Sequence, residues 1–364
     1  MKVVIFTEDK VGEGHYQAAR AVAAALTQLS PEKINVQVVG GMCLVHPFFE
    51  RSAAKIYLTM IRYWPRGWSY LYNNARQPFS LQQKLFQVRL IRYLQEEKPD
   101  MVLCTHPACT NALAQLKAKV DHPYRLGVIF TDFGFHPFAV SPEADYFFVP
   151  DQSVKFTLIH QYQINPNRIF DYGIPVHPRF LQLIQGKNSG LKKGSVNGPL
   201  HLLVLGGALG LGPLKEIMDV FSHHADRFKV TIICGKNKVL YRKLSRQTPQ
   251  HITVYGYVTN MAELIYQADA VITKPGGLTV TEALLCKTPL FLLPPLPGQE
   301  ENNRNYLQQH GLCWTVDRVD QLPELITEQL NKLKKDGEWE KQVDHHIKPD
   351  AAFCIAQKVL EQLR

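Results

Sequence analysis

Short runs of apolar residues alternate along the chain with longer segments of helical composition. Residues 2–7 (KVVIFT) predict a buried strand, and the segment that begins at Ala18 (AARAVAAALTQL) has the length and composition of a helix. The same succession recurs where MVLCTH at 101–106 leads into ACTNALAQLKAK, and LGVIFTD at 126–132 predicts a further strand. Parallel strands joined by crossover helices are the simplest interpretation of this order.

A predicted linker divides the chain into two such halves. Residues 185–199 are rich in Gly, Ser, Asn and Lys and show no apolar periodicity, which is typical of an interdomain connection. Beyond them, short β-rich runs are separated by segments of helix length, at 201–207, 230–235, 251–257, 270–274 and 289–294. The prediction is an α/β protein with doubly wound domains at 1–184 and 200–345, followed by a C-terminal helix at 346–364.

Composition agrees with this prediction and narrows the class of protein. A length of 364 residues suits two domains, and an apolar fraction of 45% is ample for two packed cores. The first residues do not resemble a secretory signal, and no run approaches about 20 apolar residues. Seven cysteines without CxxC spacing favour reduced thiols over a disulfide framework or a zinc site. We therefore expect a soluble intracellular protein, and its net charge of +9 indicates an anionic partner.

Two glycine-rich turns follow predicted strands of the second half. Ligands of open parallel sheets bind beyond the carboxyl ends of the strands, so these turns are candidate sites. The run GGALGLGP, which contains Gly206 and Gly207, is not a P-loop and fits GxGxxG poorly, so ATP and NAD lose support. Glycines here permit close approach of a diphosphate to the backbone, or they serve only a tight turn.

The run TKPGGLTVTEA carries the most informative pattern of the chain. A strand is predicted to end at Lys274, Gly276 and Gly277 open the backbone, and a helix is predicted to begin near Thr279, which favours an anion site at its N-terminus. Glu282 allows two interpretations. It either completes a capping box with Thr279, or it accepts hydrogen bonds from the ribose hydroxyls of a nucleotide.

A third glycine turn, with Gly12, Gly14 and His15, lies between the first strand and the first helix. Histidine near its ordinary pKa is a candidate general base or phosphate partner, although a single histidine is more often structural. Polar residues near the end of another strand add further candidates, namely Asp132, His136 and Asp145.

Six segments of the chain resemble the bacterial processive diacylglycerol glucosyltransferases and the plant monogalactosyldiacylglycerol synthases. These families are related to the N-acetylglucosaminyltransferase that forms lipid II. The resemblance extends from residue 1 to about residue 330 and is most specific over Lys274–Leu284. The segments are GEGHYQAARAVAAAL, FTDFGFHPFAV, DYFFVPDQSVK, DYGIPVHPRF, GYVTNMAELIYQADAVITKPGGLTVTEAL and PPLPGQEENNRNYL.

This resemblance implies a GT-B fold, in which two Rossmann-like domains face each other across a cleft. The first domain would bind the acceptor and dock on the membrane, and the second would bind a UDP-sugar. Glu282 resembles the ribose ligand, and the backbone of Val258 resembles the uracil contact. Gly206, Gly207, Gly276 and Gly277 resemble a diphosphate cradle, Gln299, Glu300 and Asn303 resemble sugar and phosphate contacts, and we assign Gly14, Lys274 and Thr279 to the same donor site.

The families that the chain resembles invert the anomeric centre without a metal fixed by the protein, so no metal and no cofactor besides the UDP-sugar substrate is expected. The chemistry needs a base for the acceptor hydroxyl and positive dipoles for the departing UDP. His15 is the first candidate for the base. Asp132 is the second, either as the base itself or as the carboxylate that orients a histidine.

Residues 51–95 form a basic stretch interleaved with aromatic residues. They hold eight Lys or Arg, no Asp or Glu, and nine aromatic residues. An interfacial membrane segment has this composition, although ordinary amphipathic helices and single-stranded nucleic acid also fit it. Because no RNA-binding signature accompanies the stretch, we predict an anionic membrane surface as its partner and no nucleic acid.

The preferred function is transfer of a hexose from UDP-glucose or UDP-galactose to diacylglycerol, by a cytoplasmic enzyme that is peripheral on the inner face of the cell membrane. Three alternatives stay open. The acceptor is another lipid-linked molecule, such as a polyprenyl-diphosphate sugar or a sterol, or the protein is a UDP-sugar epimerase, which would need no basic aromatic segment. A UDP-sugar-binding regulator without catalysis would have no reason to retain His15 and Asp132.

Overall fold

The computed structural model describes residues 1–8, 13–41, 44, 59–60, 64, 80–134, 137–186, 198–296, 298–335 and 337–363, with only the backbone of 80–86 and 108. The chain separates into two compact units. Unit 1 comprises Met1–Pro178, Pro297–Asn302 and Lys348–Arg364, and unit 2 comprises Arg179–Leu296 and Asn303–Ile347.

Each unit contains a six-stranded sheet in which every ladder is parallel. The strands of unit 1 lie in the order β2-β1-β3-β4-β5-β6, and those of unit 2 lie in the order β12-β11-β10-β7-β8-β9. The strands are β1 Lys2–Thr7, β2 Asn35–Gly40, β3 Met101–Cys104, β4 Arg125–Ile129, β5 Tyr146–Val149, β6 Ile169–Asp171, β7 Leu200–Leu205, β8 Phe228–Ile233, β9 Ile252–Tyr255, β10 Ala270–Thr273, β11 Leu290–Leu292 and β12 Trp314–Thr315.

Helices connect the strands, as crossovers in a parallel sheet require. None of those in the described part of the chain is long and apolar enough to cross a membrane. They are α1 Glu13–Leu29, α2 Ser80–Glu97, α3 Pro107–Leu116, α4 Gln152–His160, α5 Pro178–Ile184, α6 Leu214–Phe221, α7 Lys238–Ser245, α8 Met261–Gln267, α9 Gly277–Leu285, α10 Gln299–Gln309, α11 Leu322–Leu333, α12 Glu338–His346 and α13 Ala351–Leu363.

The sheet of unit 1 is buried on both faces. Val4 and Phe6 of β1 point into one apolar cluster, and Val3 and Ile5 point into another, because successive side chains of a strand alternate between faces. The second cluster contains apolar residues of α1 and α13. A strand covered on both faces appears in sequence as an unbroken apolar run, which is why KVVIFT was recognisable.

The two doubly wound Rossmann-like domains predicted from the sequence are confirmed. The strands missed by the prediction were β2, β5, β6 and β12; β2 is largely half-buried, and β12 has only two residues. Helix α1 begins at Glu13, so Gly14 and His15 lie in its first turn and not in a preceding loop. The structure groups α13 with unit 1, and most of the predicted linker, 187–197, lies outside the described residues.

Candidate functional site

The sheet of unit 2 has its topological switch point between β7 and β10. The strand order reverses there, and ligands of doubly wound sheets bind beyond the carboxyl ends of such strands. Thr273 of β10 is paired with Leu205 of β7, so Gly206 and Lys274 leave the sheet side by side. The two predicted glycine turns therefore meet at this point.

The glycines of the turn after β7 have different reasons to be glycine. Gly210 has a φ of +60°, and a Cβ atom there would collide with the carbonyl oxygen of Cys234, so the turn itself requires it. Gly207 also has a left-handed φ, +65°, and an added Cβ would lie 3.1 Å from Cε of Lys274. The Lys274 side chain thus lies against the turn and brings a positive charge to it.

Gly276 lies in the turn between β10 and α9 and has no structural requirement for glycine. It is the N-cap of α9 with an ordinary φ of −79°, and no atom lies within 4 Å of an added Cβ. The N–H groups of Gly277, Leu278 and Thr279 follow it and have no acceptor within the helix. Open space beside a glycine and three such N–H groups is the local geometry that an anion site needs.

The capping-box interpretation of Thr279 and Glu282 is wrong. Because Gly276 is the N-cap, α9 begins at Gly277 and Thr279 is the third residue of the helix. A threonine at that position cannot cap the helix, so Glu282 has no capping partner in it. Glu282 lies in the second turn, where burial raises its pKa to about 8. Hydrogen-bond donors on a ligand would stabilise the ionised form of this buried carboxyl group and so lower its pKa.

Four other residues were predicted to contact the UDP-sugar. Three of them lie in α10, and one follows β9. Asn303 is fully buried, and its Nδ2 donates to the carbonyl oxygen of Pro275 at 3.0 Å, so it holds the turn after β10 in place. Gln299 and Glu300 begin α10 and belong to unit 1, and Glu300 is buried. Val258 is half-buried in the loop between β9 and α8.

His15 lies at the switch point of unit 1, where β1 and β3 are neighbours. Its Nδ1 is 2.8 Å from the carbonyl oxygen of Thr105, directly after β3, and 2.6 Å from Oγ1 of Thr131, which follows β4. The ring of His106 packs edge-on against it, with 4.7 Å between ring centroids. Residues beyond three strands of one sheet therefore converge on this imidazole.

These contacts indicate the tautomer of His15, and its burial determines its charge. A carbonyl oxygen only accepts, so Nδ1 carries the proton and Nε2 is the basic nitrogen of the neutral ring. Burial lowers the pKa of His15, while the charge of Asp132 and the hydrogen bond to Thr105 partly offset that shift. The imidazole is consequently neutral near pH 7, as a general base must be.

Asp132 follows Thr131 directly and is half-buried. Its charge favours the protonated form of His15, as that of a stabilising carboxylate would. Within unit 1, a Cβ at Gly134 would collide with Asn302, so the loop after Asp132 packs against the beginning of α10. Gly14 is exposed in the first turn of α1.

Four polar residues that follow strands of unit 1 were not predicted from the sequence, and three of them contact His15. Glu8 is fully buried, and its Oε1 is 3.4 Å from the Cys109 thiol, which donates to it. Like Glu8, the others lie within two residues of the end of a strand. That position in the sequence could have identified them as candidate site residues. They are Thr105, His106 and Thr131.

Other expectations fall away from the site or outside the described residues. Asp145 precedes β5, so it lies at the amino ends of the strands, whereas the site lies at their carboxyl ends. Its Oδ2 is 2.6 Å from Nζ of Lys117 and accepts from the Leu126 N–H. Asp145 is therefore not a site residue. Gly12 and His136 lie outside the described residues. No three His, Cys, Asp or Glu side chains in the described part of the chain are grouped as a metal ion would need.

Most of the basic aromatic stretch 51–95 also lies outside the described residues. Its last part belongs to α2, where Arg89 and Arg92 are exposed. Arg92 Nε is 3.6 Å from Oε1 of Glu96, one helical turn later. One cation of the stretch is thus paired with a carboxylate just beyond it.

Each of the two units matches a known protein family. Residues 15–176 match the family model of monogalactosyldiacylglycerol synthase, and residues 201–356 match that of the glycosyltransferase family 28 C-terminal domain. The chain is 30% identical over 324 residues to a processive diacylglycerol beta-glucosyltransferase of Bacillus cereus, covering 86% of this chain and 82% of that relative.

Solved structures share the fold at low identity. MurG of Acinetobacter baumannii has a TM-score of 0.61 at 15% identity, with 99% of each chain covered. UDP-GlcNAc 2-epimerase of Neisseria meningitidis has a TM-score of 0.60 at 17% identity, covering 99% of this chain and all of that one. With its GT-B fold of two Rossmann-like domains, the chain belongs to the glycosyltransferase family of the processive diacylglycerol β-glucosyltransferases and monogalactosyldiacylglycerol synthases.

Proposed function

We propose that this protein transfers a hexose from UDP-glucose or UDP-galactose to diacylglycerol and inverts the anomeric centre. The name of the Bacillus cereus relative supports diacylglycerol as the acceptor and favours glucose as the sugar. The observation that carries the donor side is Gly276, a glycine that neither the backbone nor packing requires, at the N-terminus of α9. A ligand that approaches the backbone explains it.

The donor is proposed to bind at the switch point of unit 2. The N–H groups that begin α9 and the charge of Lys274 would meet the diphosphate, and Glu282 would accept from the ribose hydroxyls. Gly206, Gly207 and the backbone of Val258 would complete the nucleotide contacts. Gln299, Glu300 and Thr279 are proposed as further donor contacts, with Asn303 positioning the Pro275 turn.

The acceptor hydroxyl is proposed to lose its proton to Nε2 of His15. As its oxygen bonds to the anomeric carbon, the bond from that carbon to the diphosphate oxygen breaks, and UDP leaves with the electron pair. The proton ends on Nε2, and the nearby charge of Asp132 stabilises the imidazolium. The positive end of α9 and Lys274 hold the charge that develops on UDP.

Two other functions are weighed against this one. The fold is also that of a UDP-GlcNAc 2-epimerase, so the fold alone does not separate transfer from epimerisation. A regulator that only binds the nucleotide would keep the turn at Gly276 but would not need a neutral His15. The family to which the chain belongs favours transfer. We further propose that the reaction takes place at the inner face of the cell membrane and needs no further cofactor.

The test is incubation of the purified protein with radiolabelled UDP-glucose or UDP-galactose and diacylglycerol in anionic lipid micelles. We expect label in a glycolipid of the organic phase, with glucose as the better sugar. Substituting a polyprenyl-diphosphate sugar for diacylglycerol is the matched control for the acceptor. Label only with that control, or an isomerised nucleotide sugar without lipid label, would reject the proposal.

A further inference from the structure

A basic surface that bears exposed tyrosines lies in unit 2, beside the turn after β7, whose Ala208 carbonyl oxygen accepts from the Lys236 N–H at 2.7 Å. It is formed by α7 and the end of β9, the edge strand of the sheet, and we call it the α7 surface. A pocket of about 390 Å³ lies within it. The surface is defined by Lys236, Lys238, Val239, Tyr241, Arg242 and Tyr257.

Exposed apolar side chains are concentrated here. Nine large apolar or aromatic residues are markedly exposed among those described, and four of them lie on α7 or at the end of β9. Val239 is 78% exposed and Tyr257 is 51% exposed; the other two are Tyr241 and Tyr255. Isolated residues of this kind are ordinary, but a group in one place marks an interaction surface.

The chain segment that carries this surface contains basic residues and no acidic ones. Residues 227–262 contain seven Lys or Arg and no Asp or Glu. Lys238, Arg242 and Lys243 of α7 are exposed, and none of them forms an ion pair with another residue that the structure describes. Nζ of Lys236 lies 5.6 Å from the centre of the Tyr257 ring. The surface therefore offers cations and aromatic rings together.

Helix α7 is held rigidly with this face outward. Leu240 and Leu244, one turn apart, pack into the core of unit 2, and Oδ1 of Asn237 caps the helix by accepting from the Leu240 N–H at 3.0 Å. Lys238, Val239 and Arg242 are consequently on the outer side. A helix with a buried apolar edge and an outer face of cations, valine and tyrosine suits the headgroup layer of a membrane.

We infer that the α7 surface binds the headgroup layer of a bilayer that contains anionic phospholipid. Its cations attract the lipid phosphates, its tyrosines lie at headgroup level, and Val239 enters the acyl boundary. A single-stranded nucleic acid would use the cations and rings but would leave Val239 exposed to water. The inference rests on the proposed function only in so far as a lipid acceptor brings the protein to a membrane.

The test is sedimentation with phosphatidylcholine vesicles that contain or lack phosphatidylglycerol, without any donor. The double variant Lys238→Glu/Arg242→Glu is compared with Lys334→Glu/Lys335→Glu, which makes the same charge change on exposed lysines elsewhere in unit 2. Binding to the anionic vesicles is expected to weaken at least about tenfold in the first variant and much less in the second. A second variant, Val239→Asn, is expected to weaken binding without any change of charge.

UDP affinity, measured by titration calorimetry, is expected to be equal in all these variants, because the substituted side chains are exposed and none of them is proposed to contact the donor. Equal loss of vesicle binding in both charge variants would overturn the inference, since net charge would then suffice. So would a loss of UDP affinity with unchanged vesicle binding, or tighter binding of single-stranded RNA than of the anionic vesicles. An inactive protein that still shows the expected vesicle binding would reject the proposed transferase function and leave this inference standing.

Discussion

His15 is held by two contacts on the same ring nitrogen, and this arrangement decides its chemistry. Nδ1 faces the carbonyl oxygen of Thr105 and the hydroxyl of Thr131, so the neutral ring presents a basic Nε2. Burial keeps the pKa below its ordinary value, and Asp132 limits the shift. The residue is therefore prepared to accept a proton near pH 7.

The variant His15→Ala is expected to lower turnover at least about a hundredfold while UDP affinity stays the same, because the proposed base is removed and the proposed donor site is untouched. Steady-state kinetics with diacylglycerol and calorimetric titration of UDP measure the two effects. The control is His160→Ala, an exposed histidine on α4 of the same unit. Unchanged turnover in His15→Ala would remove His15 from the mechanism.

Glu282 is the second residue whose protonation state carries a prediction. Its pKa of about 8 means that the carboxyl is mostly neutral at pH 7 in the free protein. Ribose hydroxyls that donate to it favour the ionised form, so UDP binding should release a proton. UDP affinity is expected to rise as the pH increases from about 6.5 to 8 and to level off above the pKa.

Calorimetry in buffers of different ionisation enthalpy measures the released proton directly. The control variant, Glu282→Gln, cannot ionise and is expected to bind UDP about ten to a hundredfold more weakly than wild type above pH 8, with no proton release from this site. If wild type and this variant showed the same proton release and affinity, Glu282 would not contact the nucleotide.

At the scale of the element, the turn between β10 and α9 and the turn after β7 are both rich in glycine, but they require it for different reasons. Gly210 is needed for the turn itself, because a Cβ there collides with the Cys234 carbonyl and its φ is left-handed. Gly276 has neither constraint. Substitutions at the two glycines therefore distinguish an effect on folding from an effect on the proposed diphosphate site.

The variant Gly276→Ala is expected to keep the stability of the wild type and to lose UDP affinity at least tenfold, because the added methyl group occupies space that the diphosphate is proposed to use. Gly210→Ala is the comparison, and it should unfold at markedly lower urea concentration because of backbone strain and the collision. Circular dichroism in urea and UDP titration distinguish the two. Full UDP affinity in Gly276→Ala would place the diphosphate elsewhere.

The position at which α9 begins also predicts how much Thr279 contributes to stability. An N-cap threonine contributes about 1 kcal/mol to helix stability, but Thr279 is the third residue of α9 and Gly276 takes the cap position. Thr279→Ala is therefore expected to change the free energy of unfolding by less than about 0.5 kcal/mol. Urea unfolding checks this value, and a loss of about 1 kcal/mol or more would restore the capping role.

At the scale of the whole molecule, the end of the chain belongs to the first unit. Apolar residues of α13 are buried with those of α1, including the fully buried Ile355. The unit that carries His15 is thus completed by residues more than 300 positions later in sequence. The stability of unit 1 depends on this helix, whereas Glu282 and the glycine turns after β7 and β10 belong to unit 2.

Ile355→Ala is expected to destabilise unit 1 by about 2–5 kcal/mol, because it removes a fully buried side chain and leaves a cavity. UDP affinity should not change. Thermal unfolding followed by calorimetry, together with UDP titration, measures both, and the exposed Gln357→Ala on the same helix is the control. Loss of UDP affinity together with a small change in stability would contradict this division of roles.

Sequence patterns alone determined that the chain forms two doubly wound sheets, although not all of their strands, and where the glycine turn after β10 lies. Strands covered on both faces are continuous apolar runs such as KVVIFT and AVIT, and the ligand-binding turns of parallel sheets follow such runs directly. The run that contains Lys274, Gly276 and Glu282 was recognisable for this reason. The basic aromatic stretch 51–95 was equally visible, and membrane binding through it stays a prediction.

Only the tertiary structure decided which neighbours each candidate has. Thr105 and Thr131 meet on His15 because strands far apart in sequence are adjacent in the sheet, and Asp145 is removed from the site because it lies at the amino ends of the strands. The N-cap at Gly276, which excluded the capping box, depends on where the backbone turns and not on which residue types prefer caps. Local composition specifies elements, whereas pairing and burial specify contacts, and the chemistry of this protein depends on the contacts.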